Sequence, residues 1–309
     1  MLRRVLLTAS HSPRLRRIVE TAPLSKQVVA RYVAGTAPED AVRVTGQLVA
    51  DGLTVTLDHL GENTLDRVHA EAARDAYTLV LKQLADAGLT GGAEVSVKLS
   101  AVGQALPDDG EKIAYDHAYQ ICEAAKAAGT TVTLDMEDHT TTDSTLSILA
   151  DLRKDFPSVG AVLQSYLRRT EGDCRDLAVD GSRVRLCKGA YSEPESVAYQ
   201  GDHEVDRSYV RCLKILMNGP GYPMVATHDP RLIEIAGVFA ARARRSPGSY
   251  EYQMLYGVRP DEQRRLAGLG ETVRVYLPYG DEWYGYLMRR LAERPANLTF
   301  FLRSLVSKR

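Results

Sequence analysis

Hydrophobic positions along the chain alternate between two spacings. Short runs rich in β-branched and aromatic residues read as eight strands. They are "LTVTLD" (53–58), "EVSVKLS" (94–100), "TVTLDME" (131–137), "AVLQSYL" (161–167), "RVRLCKG" (183–189), "PMVATHD" (223–229), "YEYQML" (250–255) and "VRVYLP" (273–278). Between them, apolar residues recur every three or four positions, as in "NTLDRVHAEAARDAYTLVLKQLADAG" (63–88), "DDGEKIAYDHAYQICEAAKAAG" (108–129) and "DPRLIEIAGVFAARARR" (229–245). These stretches open on Asn or Asp and two of them stop at Gly, which marks helix starts and ends.

Strands separated by helices need crossover connections and form a parallel sheet. Eight such repeats with no linker between them predict an α/β fold, a closed (β/α)8 barrel of the TIM type, in preference to an open sheet. Residues 1–52, including "SKQVVARYV" and "PEDAVRVTGQLVADG", are expected to form an N-terminal helical arm, and residues 53–309 the barrel domain. No residue-level repeat accompanies the architectural one.

The last periodic stretch is "WYGYLMRRLAE" (283–293). At about 100° per residue, Tyr286, Arg289, Arg290 and Glu293 share one arc, and Tyr284, Leu287, Met288 and Leu291 the other. The polar arc is either a solvated face or a device for holding an anion. Composition leaves both open: 44% hydrophobic and 26% charged residues over 309 positions describe an ordinary soluble chain. The net charge of −1 supplies no global attraction for nucleic acid, so anion recognition must be local. Cys122, Cys174, Cys187 and Cys212 lack metal-ligand or disulfide-framework spacing, which points to the cytoplasm. No apolar run is long enough to span a bilayer. "MLRRVLLTAS" lacks a full signal-peptide core and, with Arg14, Arg16 and Arg17, reads as a basic helical arm.

Barrel active sites form where strands end, and those ends carry Asp58, Lys98, Asp135, Gln164, Arg185, Lys188, His228, Gln253 and Tyr276. A packed barrel interior prefers branched apolar side chains, because an unpaired buried charge is expensive, so this polar ring reads as a site. Singly, each residue has a plainer reading. Lys98 can be a solvated strand end, Asp135 a helix cap, His228 a structural hydrogen-bonding group and Tyr276 barrel packing. Asp135, Glu137, Asp138, His139 and Asp143 include hard-cation ligand types without a spacing that forces convergence, and no metal is expected. "GLGETV" (268–273) lacks the third glycine of a dinucleotide fingerprint.

In order, "VKLSA", "TLDMED", "LQSYLRR", "VRLCKGAYSE", "ATHD", "YEYQMLYG", "VYLPYG" and "YLMRRLAE" resemble the proline dehydrogenase family over roughly residues 54–297. The chain ends shortly after the arginine helix, so the resemblance is to a monofunctional member without an aldehyde dehydrogenase portion. It implies a distorted barrel with its eighth helix over the mouth. It also implies oxidation of L-proline to Δ1-pyrroline-5-carboxylate by hydride transfer to N5 of non-covalent FAD, the first step of proline catabolism to glutamate. A quinone at the membrane surface then receives the electrons, and attachment to the cytoplasmic face is peripheral.

Residue by residue, the resemblance places Lys98, Arg289 and Arg290 on the substrate carboxylate, with Glu293 holding one arginine fork and Tyr276 against the proline ring. Asp135 and Arg185 match the catalytic centre, Arg185 near flavin N5. Met136, Gln164, Arg185, Lys188, Gly189, Ala190, Tyr191, Thr227, His228, Gln253 and Leu255 match flavin contacts. Cys187 and Asp229 depart from the family's frequent aliphatic residue and Asn. Two other readings stand beside this one: a Schiff-base aldolase with Lys98 or Lys188 as nucleophile, and an inactive barrel serving as a binding module. Assembly state is not legible.

Overall fold

The structure, a computed structural model, describes residues 29–293, except the side chains of Arg289, Leu291, Ala292 and Glu293. Helix α1 (Pro38–Ala50) precedes eight strand–helix units. The strands are β1 (Thr54–His59), β2 (Ala93–Lys98), β3 (Val132–Asp135), β4 (Gly160–Gln164), β5 (Arg183–Cys187), β6 (Tyr222–Ala226), β7 (Glu251–Leu255) and β8 (Val273–Tyr279). Helices α2 (Arg67–Asp86), α3 (Gly110–Ala127), α4 (Thr142–Leu152), α5 (Thr170–Leu177), α6 (Asp202–Asn218), α7 (Pro230–Arg242), α8 (Pro260–Gly268) and α9 (Trp283–Glu293) follow them in turn. Every neighbouring pair is parallel, and β8 pairs with β1 to close the barrel. All eight expected strands are present.

Their expected ends need correction. Residues 99–100, 136–137, 165–167, 188–189 and 227–229 leave the ladder and form the loops at the carboxyl ends of β2 to β6. Apolar content alone does not distinguish a strand from the start of a buried loop. Helix caps also shift inward. Asp66, not Asn63, accepts the Val68 and His69 amides to start α2, whereas Asp229 caps α7 through the Arg231 amide. Gly88 and Gly129, at φ +70° and +78°, end α2 and α3 as their positions predict.

Each strand has period two. Outward residues such as Val55, Leu57, Val95, Val97, Leu134, Leu186 and Leu277 are buried against the helices, and each fully buried aliphatic side chain contributes roughly 1.5–3 kcal/mol. The inward residues are largely polar, contrary to the expectation of a branched apolar filling. Glu94 on β2 reaches across the barrel to Arg183 on β5, its neighbours including Arg185 at 3.9 Å and Arg274 at 3.8 Å. Glu251 on β7 binds Arg274 at 2.8 Å and Tyr222 at 3.1 Å. These ions satisfy one another, which is what permits charge in a dry interior. Burial opposes ionisation of Glu94, but the Arg183, Arg274 and Arg185 guanidiniums outweigh it and hold its carboxyl down at about 2.

Helix α9 buries Tyr284, Tyr286, Leu287 and Met288 against Tyr32, Val33, Leu60 and Val258. Leu60 and Val258 follow β1 and β7, so α9 sits at the carboxyl end of the barrel. Tyr286, assigned to the polar arc by periodicity, is buried, and the Arg290 guanidinium lies 5.0 Å from its ring centroid.

Candidate active site

Alternation along the strands brings the polar residues together. On β2, Glu94, Ser96 and Lys98 face inward in succession; on β3, Asp135 follows Thr133; on β5, Arg185 follows Arg183; on β8, Tyr276 follows Arg274. Asp135 is the hub of the upper level. Its Oδ1 accepts from Arg185 Nη1 at 2.6 Å and Ser96 Oγ at 2.7 Å. Its Oδ2 accepts from the Tyr276 hydroxyl at 2.6 Å, with Lys98 Nζ 3.7 Å away. Lys98 donates to Asp58 Oδ1 at 2.7 Å. The Arg185 guanidinium lies 5.2 Å from the Tyr276 ring centroid.

These contacts fix the electrostatics. Burial acts to discharge Lys98, yet Asp58 and Asp135 more than offset it and raise the ammonium's pKa well above its usual value. A protonated lysine held this way is a poor Schiff-base nucleophile, which needs a depressed pKa. Lys188, the other aldolase candidate, is bound by Asp206 at 2.5 Å and lies 3.5 Å from Asp229. Burial, then the charge of Asp135, pushes the Tyr276 phenol far up, so it remains a donor.

The remaining expected residues trace a contiguous arc around the carboxyl ends of β3 to β7. Met136 follows β3, Gln164 ends β4, and Lys188, Gly189, Ala190 and Tyr191 follow β5. Thr227 and His228 follow β6, and Gln253 and Leu255 lie on β7. Several are locked from behind. Gln164 Nε2 donates to the Glu137 carbonyl at 2.7 Å. His228 Nε2 accepts the Leu255 amide at 2.9 Å, which places the ring proton on Nδ1. Gly189 has φ +110°, and a Cβ there would enter the ring of Tyr166, so only glycine lets the chain pass.

The arc suits a flavin on three counts: it exposes backbone beside Gly189, it brings polar side chains from the four consecutive strands β4 to β7, and it presents a buried Arg185 Nη2 that has no hydrogen bond among the described residues. Arg290 stands on α9 at the same end of the barrel. The expected side-chain positions of Arg289 and Glu293 lie outside the described residues.

The acidic cluster of the β3 loop disperses. Asp135 serves Arg185 and Tyr276, and Glu137 accepts the Ser100 amide at 3.0 Å and its hydroxyl at 2.6 Å. Asp138 caps the 3-10 turn at His139–Thr141, His139 pairs with Glu193, and Asp143 binds Arg169. Among the described residues no three His, Cys, Asp or Glu side chains converge as a metal site. Asp135 therefore does not cap the following helix.

Sequence reasoning misses Ser96, Glu94, Glu251 and Arg274. The available signal is period two: each stands on the same face as a strand-end residue already singled out, two or four positions before it.

With this geometry in place, comparison with known proteins is decisive. The model of the family described as Proline dehydrogenase matches residues 41–303. This chain belongs to the proline dehydrogenase family. It is 35% identical over 308 residues to Proline dehydrogenase 1 of Bacillus subtilis, covering 100% of both chains. It is 37% identical over 306 residues to the Proline dehydrogenase of Deinococcus radiodurans, covering 98% of this chain and 97% of that one. Among solved structures, proline utilization A (PutA) from Bdellovibrio bacteriovorus, inactivated by N-propargylglycine, superposes with a TM-score of 0.79 at 26% identity. The match covers 86% of this chain and 32% of that one, so this chain spans about a third of that PutA. A Bradyrhizobium japonicum PutA mutant, at 21% identity and a TM-score of 0.73, shares the fold. The family's reaction is the FAD-dependent oxidation of proline, and this chain is an oxidoreductase acting on a CH–NH donor.

Proposed function

We propose that L-proline is oxidised to Δ1-pyrroline-5-carboxylate where two arcs of this barrel meet. The observation that carries the reading is the bonded set Asp135, Arg185 and Tyr276, which joins the β3–β7 arc to Lys98 on β2. The β3–β7 arc holds FAD, with Met136, Gln164, Lys188, Gly189, Ala190, Tyr191, Thr227, His228, Gln253 and Leu255 as its contacts. Lys98, Tyr276, Arg289, Arg290 and Glu293 hold the substrate. When bound, FAD supplies the acceptor for the hydride that leaves the ring carbon next to the amine.

The chain's own residues divide the remaining work. Arg185, a fixed cation in a dry site, stabilises the negative charge that reduction develops beside it. Lys98 and the arginine forks of α9 receive the carboxylate. Tyr276 limits the space beside the ring. Asp135 orients this set and does not take the amine proton. Arg185, Ser96 and Tyr276 already donate to its oxygens and Lys98 faces them, so little acceptor capacity remains.

FAD is held without a covalent bond. Burial, only partly opposed by Arg185, pushes the Cys187 thiol up to about 12, which suppresses the thiolate that would attack a flavin. His228 Nε2 is committed to the Leu255 amide. The electrons pass to a quinone, and the basic residues between 3 and 17, outside the described residues, bring the enzyme to the anionic face of the cytoplasmic membrane. No helix among the described residues is long and apolar enough to cross a bilayer.

The deciding experiment is an absorption spectrum between about 350 and 500 nm, followed anaerobically as L-proline is added. Flavin bands that bleach support the reading. A flavin spectrum unchanged by proline rejects the substrate, and a protein that takes up no FAD rejects the site.

A further inference from the structure

Beneath Arg185 a chain of groups runs from Gln253, a proposed flavin contact, down to Glu251. Arg185 Nε donates to Gln253 Oε1 at 2.5 Å, and Gln253 Nε2 donates to Glu251 Oε1 at 2.5 Å. Glu251 is fully buried and also accepts from Arg274 Nε at 2.8 Å and from the Tyr222 hydroxyl at 3.1 Å. Glu251 and Gln253 are two residues apart on β7, so both face the barrel interior.

A carboxamide can rotate by half a turn and exchange its donor and acceptor ends with little change in shape. Here the two orientations differ in kind. An ionised carboxylate is acceptor-only, so it requires the Gln253 NH2 group to face Glu251, and that leaves Oε1 facing Arg185. The reverse orientation would set carbonyl against carboxylate and NH2 against guanidinium, leaving two buried polar contacts repulsive. Arg185 is thereby given an acceptor at Nε, while Asp135 and Ser96 bind Nη1. Contacts on two sides fix the plane of the guanidinium, and Nη2 is left over.

We propose that Glu251 is the positioning residue for this site: it dictates the orientation of the Gln253 carboxamide and, through it, the orientation in which Arg185 meets the flavin. The inference rests on the functional reading above. It assigns the floor of the barrel to tuning the cofactor, in addition to filling space.

Glu251→Leu, which removes the acceptor together with the charge, separates this role from simple electrostatics by sign. Removing a buried negative charge near a flavin, with nothing else altered, makes reduction easier and moves the reduction potential of the bound flavin upward. Releasing Gln253 loosens Arg185 and moves that potential downward, because the cation no longer faces the charge that reduction creates. We expect the downward shift, near-wild-type flavin content, and a kcat for proline lowered by about 10-fold to 100-fold, as for loss of an oriented hydrogen bond to a charged group.

Glu251→Gln removes the same charge but keeps an oxygen that accepts from the Gln253 NH2 and from Arg274 Nε, with its own NH2 facing the Tyr222 hydroxyl. This variant should therefore keep Arg185 in place, retain a kcat well above that of Glu251→Leu, and move the potential upward, as removal of charge alone does. Wild-type enzyme that binds no FAD, or is not reduced by proline, overturns the functional reading itself. Wild-type enzyme that reacts, with a Glu251→Leu potential that is unchanged or higher, overturns this inference alone. So does a Glu251→Gln variant as impaired as Glu251→Leu.

Discussion

Tyr276 donates its hydroxyl proton to Asp135 Oδ2 at 2.6 Å, while its ring lies 5.2 Å from the guanidinium that Asp135 holds through the other oxygen. One side chain thus contacts both members of the central ion pair, by its edge and by its face. Tyr276→Phe keeps the face and removes the edge. Lys98, 3.4 Å from the hydroxyl and 3.7 Å from Asp135, then takes over the uncovered oxygen. Flavin content should be unchanged and kcat/KM for proline lowered by about 3-fold to 10-fold, the range of one neutral hydrogen bond. Steady-state kinetics of the flavin-replete variant check this, and a 1000-fold loss would show that the hydroxyl does more than fix Asp135.

The acid limb of stability should be carried in part by Glu94. Its carboxyl is held at about 2 against an ordinary 4.5. A depressed acid stabilises the fold fully above its unfolded value and loses that contribution as pH falls from 4.5 toward 2. For a fully buried group the shift corresponds to about 3 kcal/mol. Glu94→Gln abolishes the titration and leaves Arg183 and Arg274 less compensated. The variant should be less stable at about pH 7, and its urea midpoint should fall less steeply than wild type between about pH 4.5 and 3. Equal slopes would remove Glu94 from the account.

Much of this architecture can be read from the sequence, for a definite reason. Strand runs and helical periods differ by their spacing, so eight strands emerge from Val, Leu and Thr patterns alone, and ring closure follows from the count. Strand ends are misread wherever an apolar or β-branched residue such as Met136 or Thr227 continues past the ladder, because it is hydrogen bonding that ends a strand. The lower level of the site escapes for another reason. Glu94, Glu251 and Arg274 look like surface residues one at a time; each becomes permissible inside only because its partner arrives from another strand, 23 positions away for Glu251 and Arg274 and 89 for Glu94 and Arg183. The grouping of Asp135 with Glu137 and Asp138 fails in the opposite sense, since neighbours in sequence leave a β-loop in different directions. For α9, periodicity supplies the apolar face but misplaces Tyr286, which is buried under Arg290.

Membrane contact is predicted to depend on charge before apolar area. Arg3, Arg4, Arg14, Arg16 and Arg17 lie within a short segment, and each basic residue at an anionic surface contributes about 1 kcal/mol. Replacing all five with Gln should reduce sedimentation with phosphatidylglycerol vesicles, weaken it little further with neutral vesicles, and leave reduction by proline in solution intact. Undiminished binding to the anionic vesicles would place the contact elsewhere.

The last prediction follows from charge balance inside the barrel. Among the described inward residues, Asp58, Glu94, Asp135 and Glu251 face Lys98, Arg183, Arg185 and Arg274, equal numbers of each sign and closely paired. Lys98 in particular is already answered by Asp58 at 2.7 Å. An incoming carboxylate therefore finds donors in the barrel but little uncompensated positive charge, which gives the arginines proposed for it on α9 the larger part in binding it. Arg290→Ala should raise KM for proline by about 30-fold to 1000-fold, the effect of truncating one partner of a desolvated charge pair, with flavin content retained. L-prolinamide, which keeps the ring and amine but lacks the anion, should bind wild-type and variant enzyme alike when measured by flavin difference spectra. If the variant loses affinity for both ligands equally, Arg290 acts by packing on Tyr286 and not by reading the carboxylate.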